Sequence, residues 1–287
     1  MLVCAAVFVA LAPFATRKLA PVPAFIPIYE SALVITDLIT AVLLFGQYRI
    51  LRLQALLVLG CGYLFTAIMA SAHALTFPGL FSMTGLLGAG PQSTAWLYML
   101  WHSGFPLFVL GYVLLMQAPA ATARVPAFAW PAATLLLCAA LILLATAGQT
   151  LLPAIMIGNA YSPAMRVTVG SVWMFSLLAL LALWRRRPWT ILDLWLMVVS
   201  VVWLFDIALS ALLNAGRYDL GFYAGRIFGL LACSLVLMEL LLENGVLYAR
   251  LFQAYQADRL QSTALAAARD EAQAASAAKS MFLANMS

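Results

Sequence analysis

Long apolar stretches recur along this chain up to about residue 243, and they restrict its fold more than any other feature. Most approach the roughly 20 residues that an α-helix needs to cross the hydrocarbon layer of a membrane. Hydrophobic residues make up 66% of the sequence and charged residues only 9%, which excludes an ordinary soluble domain. We therefore predict an all-α integral membrane fold with about eight transmembrane helices. The predicted spans are residues 2–16, 28–47, 53–75, 95–117, 127–147, 167–184, 190–212 and 223–243.

The first of these spans is short, and a signal peptide is an alternative interpretation of it. Residues 2–16 lack the charged segment that precedes the apolar part of a signal peptide, and Arg17-Lys18 follow directly. We therefore predict a helix here that belongs to the membrane domain.

Basic residues in the loops predict the orientation of the helices. They occur between spans two and three, four and five, and six and seven, at Arg49, Arg52, Arg124 and Arg185–Arg187. Loops rich in lysine and arginine lie on the cytoplasmic side of a membrane, so we place these loops there. An even number of spans then leaves both termini in the cytoplasm, and we expect a bacterial inner membrane. Arg17-Lys18 and Arg166 fall on the outer side and oppose this orientation.

The composition changes near Asn244, which predicts two domains: a polytopic membrane domain, 1–243, and a cytoplasmic segment, 244–287. The second segment is rich in alanine, has no proline and has one glycine, so it should form a single continuous helix. Leu247, Leu251 and Ala254 begin an a/d-like stripe that resumes only weakly further on. A weak seam of this kind favours a two-stranded parallel coiled coil and a homodimer, with a monomeric surface helix as the alternative.

The last nine residues, 279–287, are Lys-Ser-Met-Phe-Leu-Ala-Asn-Met-Ser. This run resembles the segment of sensor histidine kinases that directly precedes the phosphoaccepting histidine. The resemblance implies the input module of a two-component system, whose parent protein would phosphorylate itself with ATP and Mg²⁺ and pass the phosphoryl group to a cognate response regulator. The phosphoaccepting histidine and the ATP-binding domain would follow residue 287. We therefore expect no catalytic residue and no enzyme activity in these 287 residues.

The membrane part carries a second resemblance, which lies in residues 29–117. The matching stretches are Tyr29-Glu30-Ser31-Ala32, residues 37–44, 62–67, 73–81 and 85–92, with Trp96-Leu97-Tyr98 and Trp101-His102. They are similar to the fourth type of the membrane-associated sensor domain, abbreviated MASE. That resemblance implies an integral membrane sensor of bacterial histidine kinases and cyclic-di-GMP enzymes, and it implies no particular ligand. A cyclic-di-GMP enzyme is therefore an alternative output, which the kinase-like ending opposes.

Polar side chains inside the predicted spans are the candidates for detecting a signal, because such groups are costly in hydrocarbon. Glu30 and Asp37 lie seven residues apart on one face of the second helix. The only two histidines also fall in the outer halves of their spans, and Asp206 begins a polar stripe with Ser210 and Asn214 on the seventh. We predict a signal-binding pocket in the outer leaflet. Its residues would be Glu30, Asp37, His73, Trp101, His102 and Asp206.

Three ligand chemistries fit these residues. His73 and His102 are suited to haem, or to a divalent metal together with Glu30 and Asp37. An apolar or quinone-like molecule could occupy an aromatic slot, and a proton or voltage response could act on Glu30 and Asp37. The slot would be lined by Trp96, Tyr98, Trp101 and Phe105. The alternative is that both histidines only bridge helices and bind nothing.

The outer loop 77–94 has 18 residues, no charge, four glycines and two prolines. A loop of this length is usually functional, and we expect it to cover the pocket. At the inner end, Glu239 and Glu243 lie one turn apart on the last span, where we expect them to relay the signal to the output helix. The alternative is a salt-bridged collar that they form with Asp193 near Arg185–Arg187. A membrane transporter is a further alternative, although no internal repeat supports it.

The remaining composition limits the partners that we expect. The net charge of +5 comes from bases spread over many loops, which excludes a nucleic-acid surface. Cys4, Cys61, Cys138 and Cys233 sit singly in apolar segments and predict no disulfide framework. The expected partners are membrane lipid, a second copy of the chain and the response regulator.

Overall fold

The computed structural model describes residues 1–22, 24–117 and 126–285, and most of them are helical. A two-stranded antiparallel hairpin pairs Met156 with Tyr161 and Ile157 with Ala160. Arg124, one of the bases used to predict orientation, lies outside the described residues. The elements are α1 (Leu2–Leu11), α2 (Phe25–Leu51), α3 (Gln54–Thr76), α4 (Ser93–Gln117), α5 (Ala129–Ala145), β1 (Met156–Ile157), β2 (Ala160–Tyr161), α6 (Pro163–Arg185), α7 (Ile191–Ile207) and α8 (Leu220–Asn285). Short 3₁₀ turns occur at Ala12–Phe14 and Gln149–Leu151, and a π turn over Ala208–Leu212 extends α7.

Every predicted span coincides with a helix, but not every helix is long enough to cross a membrane. Within the described ranges, six are long and apolar enough, namely α2, α3, α4, α6, α7 with its π turn, and α8. The helix α5 has 17 residues, and at 1.5 Å per residue it is about 25 Å long, less than the roughly 30 Å of hydrocarbon. The helix α1, with 10 residues, is shorter still. The all-α membrane fold is confirmed, whereas the count of eight spans is not established.

The chain forms two compact units, Met1–Leu240 and Leu241–Ser287. The first holds α1 to α7 and the beginning of α8, and the second is the remainder of α8. Most of the side chains described in the second unit are exposed. Its pairing with a second copy as a coiled coil remains a prediction.

The central helix of the first unit is α3, whose side chains are buried along most of its length against α2, α4 and α5. The surrounding helices leave large apolar side chains exposed, among them Ile28 on α2, Leu136 on α5 and Val167 on α6. Exposed leucine, isoleucine and valine suit a surface that contacts lipid tails, which are as apolar as these side chains. This arrangement places polar groups in the interior, on the faces that the helices share.

One end of the first unit is closed by loops that bond to each other, and we call it the cap end. Gln92 joins two of these loops, because its Oε1 accepts hydrogen bonds from the backbone N–H groups of Ile155 and Met156, both at 2.9 Å. The Leu19 N–H donates to the Tyr218 carbonyl at 2.9 Å, which attaches the segment before α2 to the segment before α8.

We call the opposite end the arginine end, because the last turn of α2 carries Arg49 and α6 ends at Arg185. Thr190 and Asp193 form a capping box that starts α7. Asp193 also lies 3.0 Å from Arg186 Nη2, and its second oxygen accepts a hydrogen bond from the Tyr112 hydroxyl at 3.0 Å. This buried carboxylate therefore has a partner for each oxygen, as a charge inside a membrane bundle requires.

Candidate functional site

A buried histidine–carboxylate pair joins α2 to α3. Glu30 Oε1 lies 2.5 Å from His73 Nδ1, and both side chains are at most 2% exposed. A proton must lie between the two atoms, since two lone pairs would repel each other at this distance. An isolated ionisable group in hydrocarbon is energetically costly, and each of the two residues gives the other the polar partner that it needs there.

A second pair joins α4 to α7. His102 Nε2 lies 3.2 Å from Asp206 Oδ2, and His102 Nδ1 lies 2.8 Å from the Tyr98 carbonyl oxygen. A carbonyl only accepts, so Nδ1 carries a proton and donates it there. The imidazole is stacked between the rings of Tyr98 and Trp203, with centroids 3.8 and 4.6 Å away. Its position is therefore fixed on both faces and at both nitrogens.

Tyr98 connects the two pairs. Its hydroxyl lies 2.5 Å from Ser210 Oγ and 3.3 Å from Asp206 Oδ1, and its ring centroid lies 6.1 Å from that of His73. Trp101 is buried between the same histidines, 6.3 Å from the His73 ring and 4.7 Å from the His102 ring. The structure thus brings five of the six predicted pocket residues together. We call the group the paired-histidine cluster; it comprises Glu30, His73, Tyr98, Trp101, His102, Asp206 and Ser210.

Asp37 lies apart from this cluster. It accepts a hydrogen bond from Thr66 Oγ1 at 2.6 Å and is buried beside Tyr63 and Cys233. A separate cavity of about 10 Å³ adjoins it. Glu30 and Asp37 share a face of α2, but α3 presents a histidine to one and a threonine to the other.

The cluster does not offer the ligand set that a bis-histidine haem needs. Both nitrogens of His102 and Nδ1 of His73 are in hydrogen bonds, and the rings of Tyr98 and Trp101 are near both imidazoles. In the described part of the chain, no group of three or more His, Cys, Asp and Glu side chains is placed to hold a metal ion. His73 and His102 as haem or metal ligands remain a prediction that this geometry does not support.

A cavity of about 30 Å³ lies between the cluster and the cap end. His73, Tyr98 and Ser210 of the cluster line it, together with Phe77 and Thr94 from the two ends of the predicted outer loop. The two ends of the loop therefore border the cavity, and its role as a cover remains a prediction.

The hairpin contributes Tyr161 to the same cavity. Burial raises the pKa of Tyr161, so its hydroxyl stays protonated and donates to the Ser210 carbonyl at 2.8 Å. Asn214 Nδ2 donates to that hydroxyl in turn, at 3.3 Å. The polar stripe predicted on the seventh span thus divides: Asp206 and Ser210 belong to the cluster, and Asn214 holds the hairpin.

Two arginines at this cavity were missed in the sequence. Arg226 lies on α8 and Arg217 in the segment before it, and both line the cavity. Arg226 is a charged residue in an apolar span, which by itself marks a functional candidate. The pocket predicted from the sequence consists of acidic, histidine and tryptophan residues and does not include Arg226.

A stripe of three glycines on α8 was also missed. Gly221, Gly225 and Gly229 recur every four residues, the spacing that lets two membrane helices approach closely. A Cβ on Gly225 would lie 2.7 Å from the Asp206 carbonyl oxygen, and one on Gly229 would lie 2.8 Å from Asp206 Oδ2. Backbone of α8 therefore packs directly against the part of α7 that carries the cluster.

The two predicted relay residues lie further along α8. Glu239 is buried in the first unit, and Glu243 is partly buried in the second. Neither residue lies in the cluster or lines the cavity.

Comparison with known proteins identifies the family of this chain. Residues 20–248 match the family described as a membrane-associated sensor, integral membrane domain, MASE4. No curated protein and no solved structure matches the chain. The match covers most of the 287 residues and includes the paired-histidine cluster, both arginines and the glycine stripe. The chain is a multi-pass membrane protein and belongs to the MASE4 family of membrane-associated sensor domains.

Proposed function

We propose that this chain is the transmembrane input module of a sensor histidine kinase. The observation that carries the proposal is the continuity of α8, a single helix of 66 residues from Leu220 to Asn285. Its beginning packs against the paired-histidine cluster, and its end carries the Phe-Leu-Ala-Asn run that resembles a kinase phosphotransfer segment. One element thus joins a sensing site to an output sequence.

In this proposal the cluster sets the position of α8. The Gly225 and Gly229 contacts leave no side chain to absorb a movement of Asp206, so a change in the His102–Asp206 pair would displace α8 directly. The π turn at Ala208–Leu212 lies at the same contact, and π turns are frequent at sites that change conformation. A signal shifts this equilibrium only if it favours one packing over the other.

This role implies an orientation in the membrane and a second copy of the chain as a partner. The cap end would face the outside of a bacterial inner membrane, with both termini in the cytoplasm, and residues 244–287 would pair with those of a second copy. Glu239 and Glu243 would adjust the coupling along α8. Replacing both by glutamine in the full kinase should change basal autophosphorylation, and an unchanged rate would remove them from the relay.

A register test addresses the proposal as a whole. The chain would be fused at Ser287 to the phosphotransfer and ATP-binding domains of a histidine kinase whose sequence continues from the same run. One to seven alanines would then be inserted after Ala264, in the exposed part of α8. Each insertion rotates the downstream helix by about 100°, so autophosphorylation in liposomes should vary with helical periodicity and recover near four and seven insertions.

The result would also separate the two output classes. Autophosphorylation that is independent of the insertion length would refute a helical relay to a kinase. If the same series attached to a diguanylate cyclase were periodic while the kinase series was flat, the output would be a cyclic-di-GMP enzyme instead.

A further inference from the structure

We infer that the cavity at the cap end binds a small monovalent oxyanion, of the class of formate, nitrate and bicarbonate. Binding itself is independent of the proposed function, whereas the role of the anion as a signal rests on it. The inference comes from the charges that line the cavity, from how they are held and from the size of the space.

The lining of the cavity is positively charged and contains no carboxylate. Arg217 and Arg226 both line it, beside His73, whose Nδ1 is already occupied by Glu30. Among the residues that the structure describes, no carboxylate oxygen lies within 4.0 Å of either guanidinium. The nearby Asp206 is bonded to His102 and Ser210 instead.

The charge on Arg226 is deeply buried. Its side chain is 5% exposed, its Nη1 donates to the Phe222 carbonyl at 2.9 Å, and its Nε has no hydrogen-bond partner within the described ranges. A buried cation without a counter-ion is strongly unfavourable. Burial also lowers the pKa of Arg217, to which the neighbouring charge of Arg226 contributes. A single anion in the cavity would give these guanidinium groups the direct partner that no carboxylate supplies.

Aromatic rings lie close to both guanidinium groups, at cation–π distances. The Arg226 Cζ lies 3.7 Å from the centroid of Phe222 and 5.3 Å from that of Tyr98, and the Arg217 Cζ lies 5.1 Å from that of Phe77. The N–H groups of a guanidinium lie in its plane and point outward from its edge. Planar carboxylates and oxyanions meet that edge with two parallel hydrogen bonds.

The size of the cavity limits the anion. A volume of about 30 Å³ corresponds to roughly two water-sized spheres. We therefore expect an anion of three or four non-hydrogen atoms to be favoured over a phosphate group, free or on a lipid. Because Arg226 is on α8, Phe77 directly follows α3 and Thr94 is in the first turn of α4, a bound anion would connect the first turns of α8 to these helix ends.

The test is a titration of the 287-residue chain in lipid nanodiscs, at constant pH and ionic strength in sodium gluconate. Formate, nitrate and bicarbonate would be added singly, with phosphate as the size control, while tryptophan fluorescence and the unfolding temperature are recorded. We expect a saturable change with at least one of the three small anions and none with phosphate. Arg217→Gln should weaken this binding at least about tenfold, because it removes one partner of a charged pair.

Arg226→Gln is the most direct variant, but it changes a buried side chain and can prevent folding. Two further variants keep the test decisive in that case. Ala95→Leu fills the cavity but retains both arginines, and it should abolish binding. Arg166→Gln removes an exposed arginine at the start of α6 and should leave the affinity unchanged. The inference is overturned if no small anion gives a saturable change, if phosphate binds as well as nitrate, or if Arg217→Gln and Arg166→Gln behave alike.

The kinase fusion separates the site from its proposed role. Saturable binding without any change in autophosphorylation would establish the site and refute its part in signalling. Register-dependent autophosphorylation without anion binding would support the relay and refute the site.

Discussion

Gly229 of α8 faces the Asp206 carboxylate of α7 so closely that a Cβ at this position would lie 2.8 Å from Oδ2. The Tyr29 hydroxyl would be 3.1 Å from the same Cβ. The helices α2, α7 and α8 therefore meet at a position where α8 has no side chain. This position is next to the Asp206 carboxylate, which is hydrogen-bonded to His102.

Gly229→Ala should destabilise the membrane unit by about 1–3 kcal/mol, because neither the carboxylate nor the tyrosine has room to withdraw without losing a contact. The measurement is the unfolding free energy in mixed detergent micelles. Gly170→Ala is the matched control on α6, since nothing lies within 4 Å of a Cβ there. It should be neutral or stabilising, and equal losses in both variants would contradict the close contact.

Glu30 and His73 should show a coupling free energy of about 0.5–3 kcal/mol, because each leaves the other unpaired in the interior when it is replaced. The cycle consists of Glu30→Gln, His73→Gln and the double variant, measured by unfolding in detergent. Glu30→Gln combined with Ser171→Ala, an exposed position on α6, should be additive. Additive effects for the Glu30–His73 pair would show that the 2.5 Å contact contributes nothing.

Thr66→Val should cost about 1–3 kcal/mol, because it removes the hydroxyl that donates to the buried Asp37 carboxyl group. In an Asp37→Leu background the same change should cost much less, since no polar group is then left without a partner. Thr168→Val is the control, because the Thr168 hydroxyl donates to a carbonyl of its own helix. The comparison uses the same unfolding assay, and an undiminished cost in the Asp37→Leu background would contradict the pairing.

The purified chain should have no Soret absorption and no stoichiometric metal, because both nitrogens of His102 and Nδ1 of His73 are already in hydrogen bonds. A visible spectrum and metal analysis of one sample in mild detergent test this expectation. A Soret band that disappears in His73→Ala or His102→Ala would show that the cluster rearranges around haem.

The positions of the helices could be predicted from the sequence, but the contacts between helices could not. Apolar length and flanking bases locate α2 and α6 to within a few residues of their ends, because burial in lipid demands a minimum length. The sequence pattern does not distinguish α5, which is apolar but has only 17 residues, from a full span.

Only part of the candidate site could be predicted from the sequence. Glu30 and Asp37 were correctly placed on one face of α2, since helical periodicity is local. Their partners come from α3, and the depth at which two helices meet is set by packing along their whole length. The arginines illustrate the opposite case: a single cation in the last apolar span was visible in the sequence, and only its proximity to Arg217 required the structure.

The hydrogen bonds of Gln92 bear on how fast a ligand could leave the cavity. Its side chain joins the loop before α4 to the hairpin segment, and Phe77, Thr94 and Met156 beside these segments line the cavity. If an occupant leaves between the two segments, its release requires these hydrogen bonds to break together. Slow release would make the protein respond to the ligand concentration averaged over the time that the ligand stays bound. Shorter fluctuations in that concentration would have no effect.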